Sequence, residues 1–173
     1  TRLLMEVSQD RAAWNLNPEA IPARAFMEQI KKQAEGYTAG RQIRLCFDTE
    51  RLPEAFTGDS GLLNRAVMNI IANGADYTPE GGTLSLKAEG NGSVISITIT
   101  DGGPGFSADA LKNAARKFYM GDKSRSAQKH YGMGLYITDS IIRQHGGSLC
   151  LENDPRTGHG RVVIELEGTG EVE

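Results

Sequence analysis

The stretch Asn69-Ile-Ile-Ala-Asn73-Gly-Ala-Asp-Tyr77 carries two amides and a carboxylate inside an otherwise apolar helical pattern. Two glycine-rich segments follow it in order, Asp101-Gly-Gly-Pro-Gly105 and Gly132-Met-Gly134-Leu135. A run with strand character precedes the first of these segments, and a helical run follows the second. Each segment alone is a weak signal, because such polar and glycine residues are common in turns. In this order they predict one nucleotide-binding pocket.

Bulk composition indicates a single globular domain. A length of 173 residues is enough for a sizeable core, and 39% hydrophobic with 24% charged residues is near the globular average. The net charge of -3 offers no basic excess for a phosphate backbone, which argues against a nucleic-acid partner. No apolar run is long enough to cross a bilayer, and no signal peptide opens the chain. We therefore expect a soluble domain, with Cys46 and Cys150 as buried thiols in a reducing compartment.

Hydrophobic periodicity predicts a two-layer α/β sandwich, in which helices cover one face of one mixed sheet. We expect Asn17 to cap a helix that has Pro18 at its first position and ends near Gly36. Asp59 is expected to cap a second helix that runs to about Tyr77. The remaining expected elements are strands at residues 42–47, 83–88, 94–100, 148–152 and 161–167, a hairpin at Asn91-Gly92, and helices at residues 1–7, 108–117 and 134–145.

The second predicted helix has an unusual polar face. Asn69, Asn73 and Asp76 recur at spacings that place them together, roughly opposite the apolar stripe. Amide side chains are poor helix formers, because they compete for backbone hydrogen bonds. Amide oxygens are nevertheless suitable ligands for a magnesium ion that also binds phosphates. A solvated face that happens to carry two asparagines remains an equal alternative on this helix alone.

The two glycine segments have a functional and a structural interpretation. Asp101 follows a predicted strand, and a carboxylate there can accept the exocyclic amine of adenine; a simple turn after a strand is the alternative. Gly132 and Gly134 lead into a predicted helix, whose N-terminal N–H groups favour a phosphate; a flexible helix entry is the alternative. Neither a Gly-Lys-Ser/Thr phosphate loop nor a dinucleotide fingerprint occurs, so the common nucleotide folds are disfavoured.

Together these segments closely resemble the ATP-binding catalytic domain of bacterial sensor histidine kinases, in the superfamily of type II topoisomerase, Hsp90 and MutL ATPases. Residues 69–79 are similar to its N box, residues 101–105 to its G1 box and residues 132–135 to its G2 box. Residues 117–125 resemble the F box of its ATP lid. Four similar motifs in the same order make a far stronger signal than any one of them.

The resemblance implies a Bergerat ATP-binding fold and a domain organisation. The catalytic domain would span residues 17–173, with the ATP lid at about residues 106–131. Residues 1–16 would be the remnant of an upstream helix or linker. The cofactors implied are ATP and Mg²⁺.

The resemblance also implies residue roles. Asn69 and Asn73 would be catalytic, with Asn73 as the Mg²⁺ ligand. Asp101 would bind the adenine amine, and Tyr77 would flank the ring. Hydrolytic relatives carry a glutamate at the position of Asn69 to activate water, and an amide lacks that basicity, which favours kinase over ATPase activity. The full set of implied nucleotide-binding residues is Asn69, Asn73, Asp76, Tyr77, Asp101, Gly103, Gly105, Phe106, Lys123, Arg125, Gly132, Met133, Gly134 and Leu135.

Three positions depart from the pattern of these kinases. Asp76 stands where a lysine or another cationic or neutral polar residue is frequent, Met120 replaces an arginine, and Ala115 replaces a phenylalanine of the F box. A carboxylate at position 76 repels ATP unless Mg²⁺ lies between them. We therefore expect weaker ATP binding or a differently organised lid. The remaining candidate lid cations are Lys117, Lys123, Arg125 and Lys129.

The chain offers no phosphoacceptor. None of its histidines, His130, His145 and His159, sits on a long helical pattern followed by an acidic residue. For His145 we expect a structural role or a helix C-terminal role, since a cationic ring suits that end. The resemblance therefore implies a histidine-bearing dimerisation domain upstream and a response regulator as further partner. It also implies a homodimeric parent, anchored in the membrane with this domain in the cytoplasm, and a monomeric fragment.

Two alternatives to a histidine kinase module share the fold. One is a free-standing serine kinase of the anti-sigma type, which lacks the upstream helical hairpin. The other is a nucleotide-sensing or protein-docking module without transfer chemistry, for which Asp76 and Met120 are the support.

Overall fold

The computed structural model describes residues 15–91, 93–115 and 126–167. Within these ranges no helix has an apolar stretch of the length and hydropathy needed to span a membrane. The elements are β1 (Glu19–Pro22), α1 (Ala23–Ala39), β2 (Arg44–Arg51), β3 (Ala55–Gly58), α2 (Ser60–Tyr77), β4 (Thr83–Asn91), β5 (Val94–Thr100), α3 (Ala108–Ala115), α4 (Ser126–Gln144), β6 (Ser148–Asn153) and β7 (Gly160–Glu167).

Five strands form one mixed sheet in the order β2-β4-β5-β7-β6. The β2–β4 pair is parallel, and the other neighbouring strands are antiparallel. A parallel pair needs a crossover connection, which here contains β3 and α2. The predicted hairpin of β4 and β5 is present, but β4 continues to Asn91 rather than residue 88, and Asn91 pairs with Val94, so the connection lies after Asn91. The predicted α/β architecture with a mixed sheet is therefore confirmed.

The core lies between the sheet and the helices. Side chains alternate along the central strands, so that Ile95, Ile97 and Ile99 of β5 are buried while their neighbours are partly exposed. The predicted apolar stripe of α2 is buried against them, and α4 packs against α2. The stripe consists of Leu63, Ala66, Val67, Ile70, Ile71 and Gly74.

The expectation that both cysteines are buried is wrong. Cys46 and Cys150 are exposed free thiols. Each lies on a strand whose neighbouring residues, such as Leu45 and Leu149, point into the core. Because side chains alternate between the two faces of a sheet, an apolar run along the sequence does not bury every member.

The predicted helix start at Asn17-Pro18 is also wrong. Glu19–Pro22 is a short strand, paired antiparallel with Ala55–Gly58 in a separate two-stranded sheet that was not predicted. The helix begins at Ala23, whose N–H donates to the carbonyl oxygen of Glu54. A tertiary backbone contact therefore replaces the side-chain cap that the local sequence suggested.

Two boundaries differ from the predicted ones for a local reason. Helix α1 continues to Ala39 and β2 begins at Arg44, rather than at residues 36 and 42. Gln42 lies in the turn between them with a positive φ of 55°. This left-handed backbone ends the connection, so the strand starts later than the apolar alternation suggests.

His145 connects the end of α4 to the start of α2. Its Nε2 accepts the backbone N–H of Asp59 at 3.0 Å, and its Nδ1 donates to the carbonyl oxygen of Ile141 at 2.8 Å. The Asp59 carboxylate in turn accepts the N–H of Leu62, as predicted for a helix cap. These contacts give His145 a structural role, which is one of the two roles expected for it.

We predict that His145→Ala lowers the free energy of unfolding by about 1–3 kcal/mol, because the Asp59 N–H loses its acceptor and a partly buried ring is deleted. Urea unfolding measures the change. Gln144→Ala, at the exposed neighbouring position, is the control and should change stability by less than about 0.5 kcal/mol. Equal effects of the two variants would contradict a connecting role for His145.

Candidate nucleotide-binding site

The polar face of α2 is most buried at its centre. Asn73 is 8% exposed, Asn69 is half-buried, and Asp76 is exposed near the helix end. Within the part of the chain that the structure describes, the buried Nδ2 of Asn73 has no hydrogen-bond partner. Buried amides in native proteins are almost always paired, so this position has the capacity for one more ligand. The nitrogen and oxygen of the Asn73 side-chain amide exchange places when the amide is flipped. Asn73 can therefore offer an N–H donor to a phosphate oxygen or its amide oxygen to a cation.

The first glycine segment starts with a buried carboxylate. Asp101 follows β5, is 8% exposed, and donates its N–H to the carbonyl oxygen of Gly160. Its Oδ1 accepts the N–H of Gly103 at 2.7 Å. Burial raises the pKa of Asp101 above its ordinary value, although hydrogen bonds from Gly103 and Gly160 and the nearby His159 ring oppose the shift. A buried carboxyl with a raised pKa beside glycines is typical of a functional position.

A glycine lets this carboxylate approach the asparagine helix. A Cβ built on Gly74 of α2 would lie 3.3 Å from Cβ of Asp101 and 2.9 Å from Cδ1 of Leu84. Thr78 strengthens the same junction, because its Oγ1 accepts the N–H of Gly102 at 2.9 Å and donates to the carbonyl oxygen of Gly74 at 2.8 Å. The structure therefore brings the first two predicted segments together.

The turn between β6 and β7 holds the glycine segment from its other side. The Asn153 amide accepts the N–H of Phe106 at 2.8 Å and donates to its carbonyl oxygen at 3.0 Å. Nδ1 of His159 donates to the carbonyl oxygen of Gly103 at 2.8 Å. Gly105 has φ of +93°, and a Cβ there would collide with the carbonyl oxygen of Gly158. Sequence reasoning placed these residues between two predicted strands or in the glycine segment and missed the supporting roles of Asn153 and His159.

Asp154 stabilises the turn between β6 and β7. Its carboxylate accepts the N–H of Arg156 at 2.8 Å and forms an ion pair with Arg161 at 2.7 Å. The hydrogen bond from Arg156, followed by Arg161, holds the pKa of Asp154 below its usual range. The turn therefore presents Asn153 and His159 in fixed positions.

Asp101 also borders a pocket of about 390 Å³ beside this turn. The asparagines of α2 do not line it. Ser85 and Thr100 lie in register on the sheet face away from the helices, and both contribute to its wall. The pocket therefore lies behind the glycine segment. Its lining residues are Gly82, Thr83, Ser85, Thr100, Asp101, Gly102, Asp154, Thr157 and His159.

The third predicted segment takes a different conformation from the expected one. Gly132, Met133 and Gly134 lie inside α4, which begins at Ser126 rather than at Gly134. Residues 127–129 are good helix formers, and packing of buried residues such as Leu135 outweighs the cost of two internal glycines, about 1 kcal/mol each. The interpretation of the glycines as a helix N-terminus is therefore wrong, and their contact with phosphates stays a prediction.

The predicted lid is only partly within the described residues. Phe106 at its start is 8% exposed and packs in the core, and α3 follows at Ala108–Ala115, close to the predicted 108–117. Lys123 and Arg125, with the rest of the F box at residues 117–125, lie outside the described residues.

Tyr77 lies near two carboxylates, those of Asp76 and Asp101. Its ring is 38% exposed at the end of α2. Partial burial, followed by the charges of Asp76 and Asp101, raises the pKa of Tyr77. An accessible aromatic ring in this position is suited to stack on a base.

A metal site made by the protein alone does not occur in the described ranges, where no three His, Cys, Asp or Glu side chains cluster suitably. A magnesium ion at Asn73 would therefore share its coordination with other oxygen ligands, such as phosphates.

Comparison with known proteins assigns this arrangement to a family. Residues 58–169 match the model of the histidine kinase-, DNA gyrase B- and HSP90-like ATPases. The chain belongs to this ATPase family. The match includes α2, the Asp101 segment and the β6–β7 turn, which are the elements that build the site.

The relatives of this ATPase domain are sensor histidine kinases. It is 37% identical over 164 residues to the sensor histidine kinase SpaK of Bacillus subtilis, covering 94% of this chain and 36% of that protein. It is 34% identical over 113 residues to the nisin biosynthesis sensor protein NisK of Lactococcus lactis, covering 65% and 25%. The chain thus spans about a third or less of the length of these relatives.

Solved structures agree with this assignment. The mycobacterial sensor histidine kinase MprB is 26% identical to this ATPase domain, with a TM-score of 0.69 over 88% of this chain and 97% of that one. The chain is therefore a catalytic ATP-binding domain of the sensor histidine kinase type.

We predict that Gly103→Ala weakens ATP binding at least about tenfold, because the new Cβ would lie 2.6 Å from the carbonyl oxygen of Tyr77 and force the loop away from α2. Titration calorimetry measures the affinity. Gly36→Ala, where nothing lies within 4 Å, should leave binding unchanged and stabilise α1 by about 0.5–1 kcal/mol. Wild-type affinity in Gly103→Ala would rule out the close approach as a requirement.

Proposed function

We propose that this domain binds Mg-ATP between α2 and the Asp101 segment and donates the γ-phosphoryl group to a histidine of a dimerisation domain outside this chain. A response regulator would then receive the phosphoryl group. One observation carries the proposal: the buried Nδ2 of Asn73, which has no hydrogen-bond partner among the described residues, lies on the same helix as Gly74, which admits the buried carboxylate of Asp101. The proposed ligand of the cation and phosphates, Asn73, is thus on the helix against which the proposed adenine acceptor, Asp101, packs.

Asp101 is the proposed adenine-recognition residue. Its Oδ1 is held by the Gly103 N–H, so the carboxylate is oriented before the base arrives. An ionised carboxylate accepts the exocyclic amine of adenine, whereas guanine presents a carbonyl oxygen at the equivalent position and is repelled. Tyr77 and the backbone around Gly103 and Gly105 would enclose the base.

The proposed phosphate end of the site lies along α2 toward its middle. Asn73, with support from Asn69 one turn earlier, would hold a magnesium ion through its amide oxygen or a phosphate through its N–H group. Magnesium, when bound, neutralises phosphate charge during phosphoryl transfer. The contribution of the chain is positioning, because α2 is anchored at its start by Asp59 and at its end by Thr78.

Asn69 favours transfer to a protein histidine over hydrolysis. Its amide cannot take a proton from water, so this position does not supply a general base. Lys123, Arg125 and the residues around Gly132 are proposed to cover the phosphates, with Met133, Gly134 and Leu135 completing that wall. We propose a cytoplasmic location for the domain, on a membrane-anchored homodimeric parent, since the relatives SpaK and NisK are named as sensors.

We predict that Asn73→Ala weakens Mg-ATP binding and lowers phosphohistidine formation about a hundredfold, since an oriented ligand of the phosphates is lost. Labelled ATP, this domain and a separately produced histidine-bearing helical hairpin domain form the assay. Asn64→Ala is the matched control, because Asn64 lies on the same helix but pairs with Gln33. Tight Mg-ATP binding without any phosphohistidine would support a nucleotide-sensing module; phosphoserine on an added protein would support the anti-sigma alternative.

We predict that ATP affinity falls as the pH is lowered. The fall should occur at a higher pH than would be expected if the pKa of Asp101 had the ordinary value of an aspartate. The pKa of Asp101 is raised above 3.8 by burial, so its carboxylate is present above that raised value and is lost as the pH falls through it. Protonation removes the negative charge and gives one oxygen an O–H donor, so the group is a weaker acceptor for the adenine amine. Calorimetric titrations across the acidic range measure the effect, and Asp101→Asn should bind weakly with no such pH dependence. The same pH profile in both proteins would exclude Asp101 as its source.

A further inference from the structure

We propose that Arg41 and Tyr37, which lie outside all of the nucleotide motifs, neutralise Asp76 and thereby allow a triphosphate to bind next to that carboxylate. This inference rests on the proposed function, because it concerns the binding of Mg-ATP. It assigns a role in nucleotide affinity to the C-terminal end of α1.

Three side chains form one compact cluster between α1 and α2. The Tyr37 hydroxyl donates to Oδ1 of Asp76 at 3.0 Å, and Nη1 of Arg41 lies 3.0 Å from the same oxygen. The Arg41 guanidinium also lies over the Tyr37 ring, 4.4 Å from its centroid. Stacking on the ring orients the guanidinium toward Asp76. Oδ1 of Asp76 thus contacts both a cation, Arg41, and a neutral hydrogen-bond donor, the Tyr37 hydroxyl.

Asp76 is close enough to the nucleotide site for its charge to matter. It shares a helix face with Asn73, less than one turn away. After burial, its charge and that of Asp101 are the causes that raise the pKa of Tyr77. A bare carboxylate here would therefore add negative charge where phosphates are proposed to bind.

Backbone contacts hold the cation in place. The N–H of Arg41 donates to the carbonyl oxygen of Thr38, which closes the end of α1. The following turn is joined to the loop after α2, because Gly81 donates to Gln42 and Arg44 donates to Gly82. The ends of α1 and α2 thus form one unit, and Arg41 is positioned before any ligand binds.

The expected size of the effect is moderate. Arg41 and Asp76 have side-chain exposures of 42% and 36%, so solvent screens their interaction. Removing the cation should leave the carboxylate uncompensated and weaken binding of a multivalent anion about fivefold at low ionic strength. The effect should shrink at high salt, and an uncharged ligand should not feel it.

The test is a double-mutant cycle on the 173-residue chain, with Mg-ATP and adenosine as the titrants. Arg41→Gln should weaken Mg-ATP binding about fivefold at about 25 mM salt and by less than twofold at about 500 mM. Adenosine binding should not change. Asp76→Asn should bind Mg-ATP as well as wild type or better, and adding Arg41→Gln to it should cause little further loss. Arg24→Gln removes an exposed charge from the start of α1 and is the control.

Each contrary result has a distinct meaning. An equal loss from Arg41→Gln with and without Asp76 would overturn neutralisation, since Arg41 would then contact the phosphates directly. A loss that extends equally to adenosine would overturn it in favour of a structural role. Wild-type Mg-ATP affinity in Arg41→Gln would overturn it as well. Failure of the wild-type chain to bind Mg-ATP would instead remove the proposed function, and this inference with it.

Discussion

The contact between α2 and the end of β5 is the constraint on which the site depends. Gly74 has no side chain, so the buried carboxylate of Asp101 packs directly against the helix that carries Asn73. Thr78 joins the same helix end to the N–H of Gly102. These contacts bring the helix that carries the amide close to a carboxylate from a separate part of the chain. A larger residue at position 74 would separate the two groups that the proposed chemistry requires together.

The rest of the domain serves to hold this junction. His145 anchors the start of α2, and the β6–β7 turn supports the glycine segment through Asn153 and His159. Burial of Asp101 costs stability, which is visible in its raised pKa. Neighbouring hydrogen bonds offset part of that cost and keep the acceptor oriented. A site arranged before its ligand binds loses less entropy on binding.

The positions of long elements with regular apolar spacing could be predicted closely from the sequence, whereas the residues at which elements begin and end could not. Helix α2 and the β4–β5 hairpin agree with their predicted positions, because an apolar stripe and an Asn-Gly turn are local patterns. The start of α1 was wrong, since Glu19–Pro22 pairs with a distant strand that competes with the local helix signal. Of the candidate site, the sequence identified Asn73 and Asp101, whose residue types are unusual in their elements. Their proximity to each other became visible only in the fold.

The sequence by itself determined the order of elements, the polar face of α2 and the resemblance to an ATP-binding kinase domain. Each of these features depends on residues that are only a few positions apart in the sequence. Only the tertiary structure decided that Arg41 forms an ion pair with Asp76 and that Asn153 and His159 support the glycine segment. These contacts join residues that are far apart, for example 47 and 56 positions for the two supporting residues. No local periodicity encodes such pairs, because they exist only after the sheet and the helices have packed.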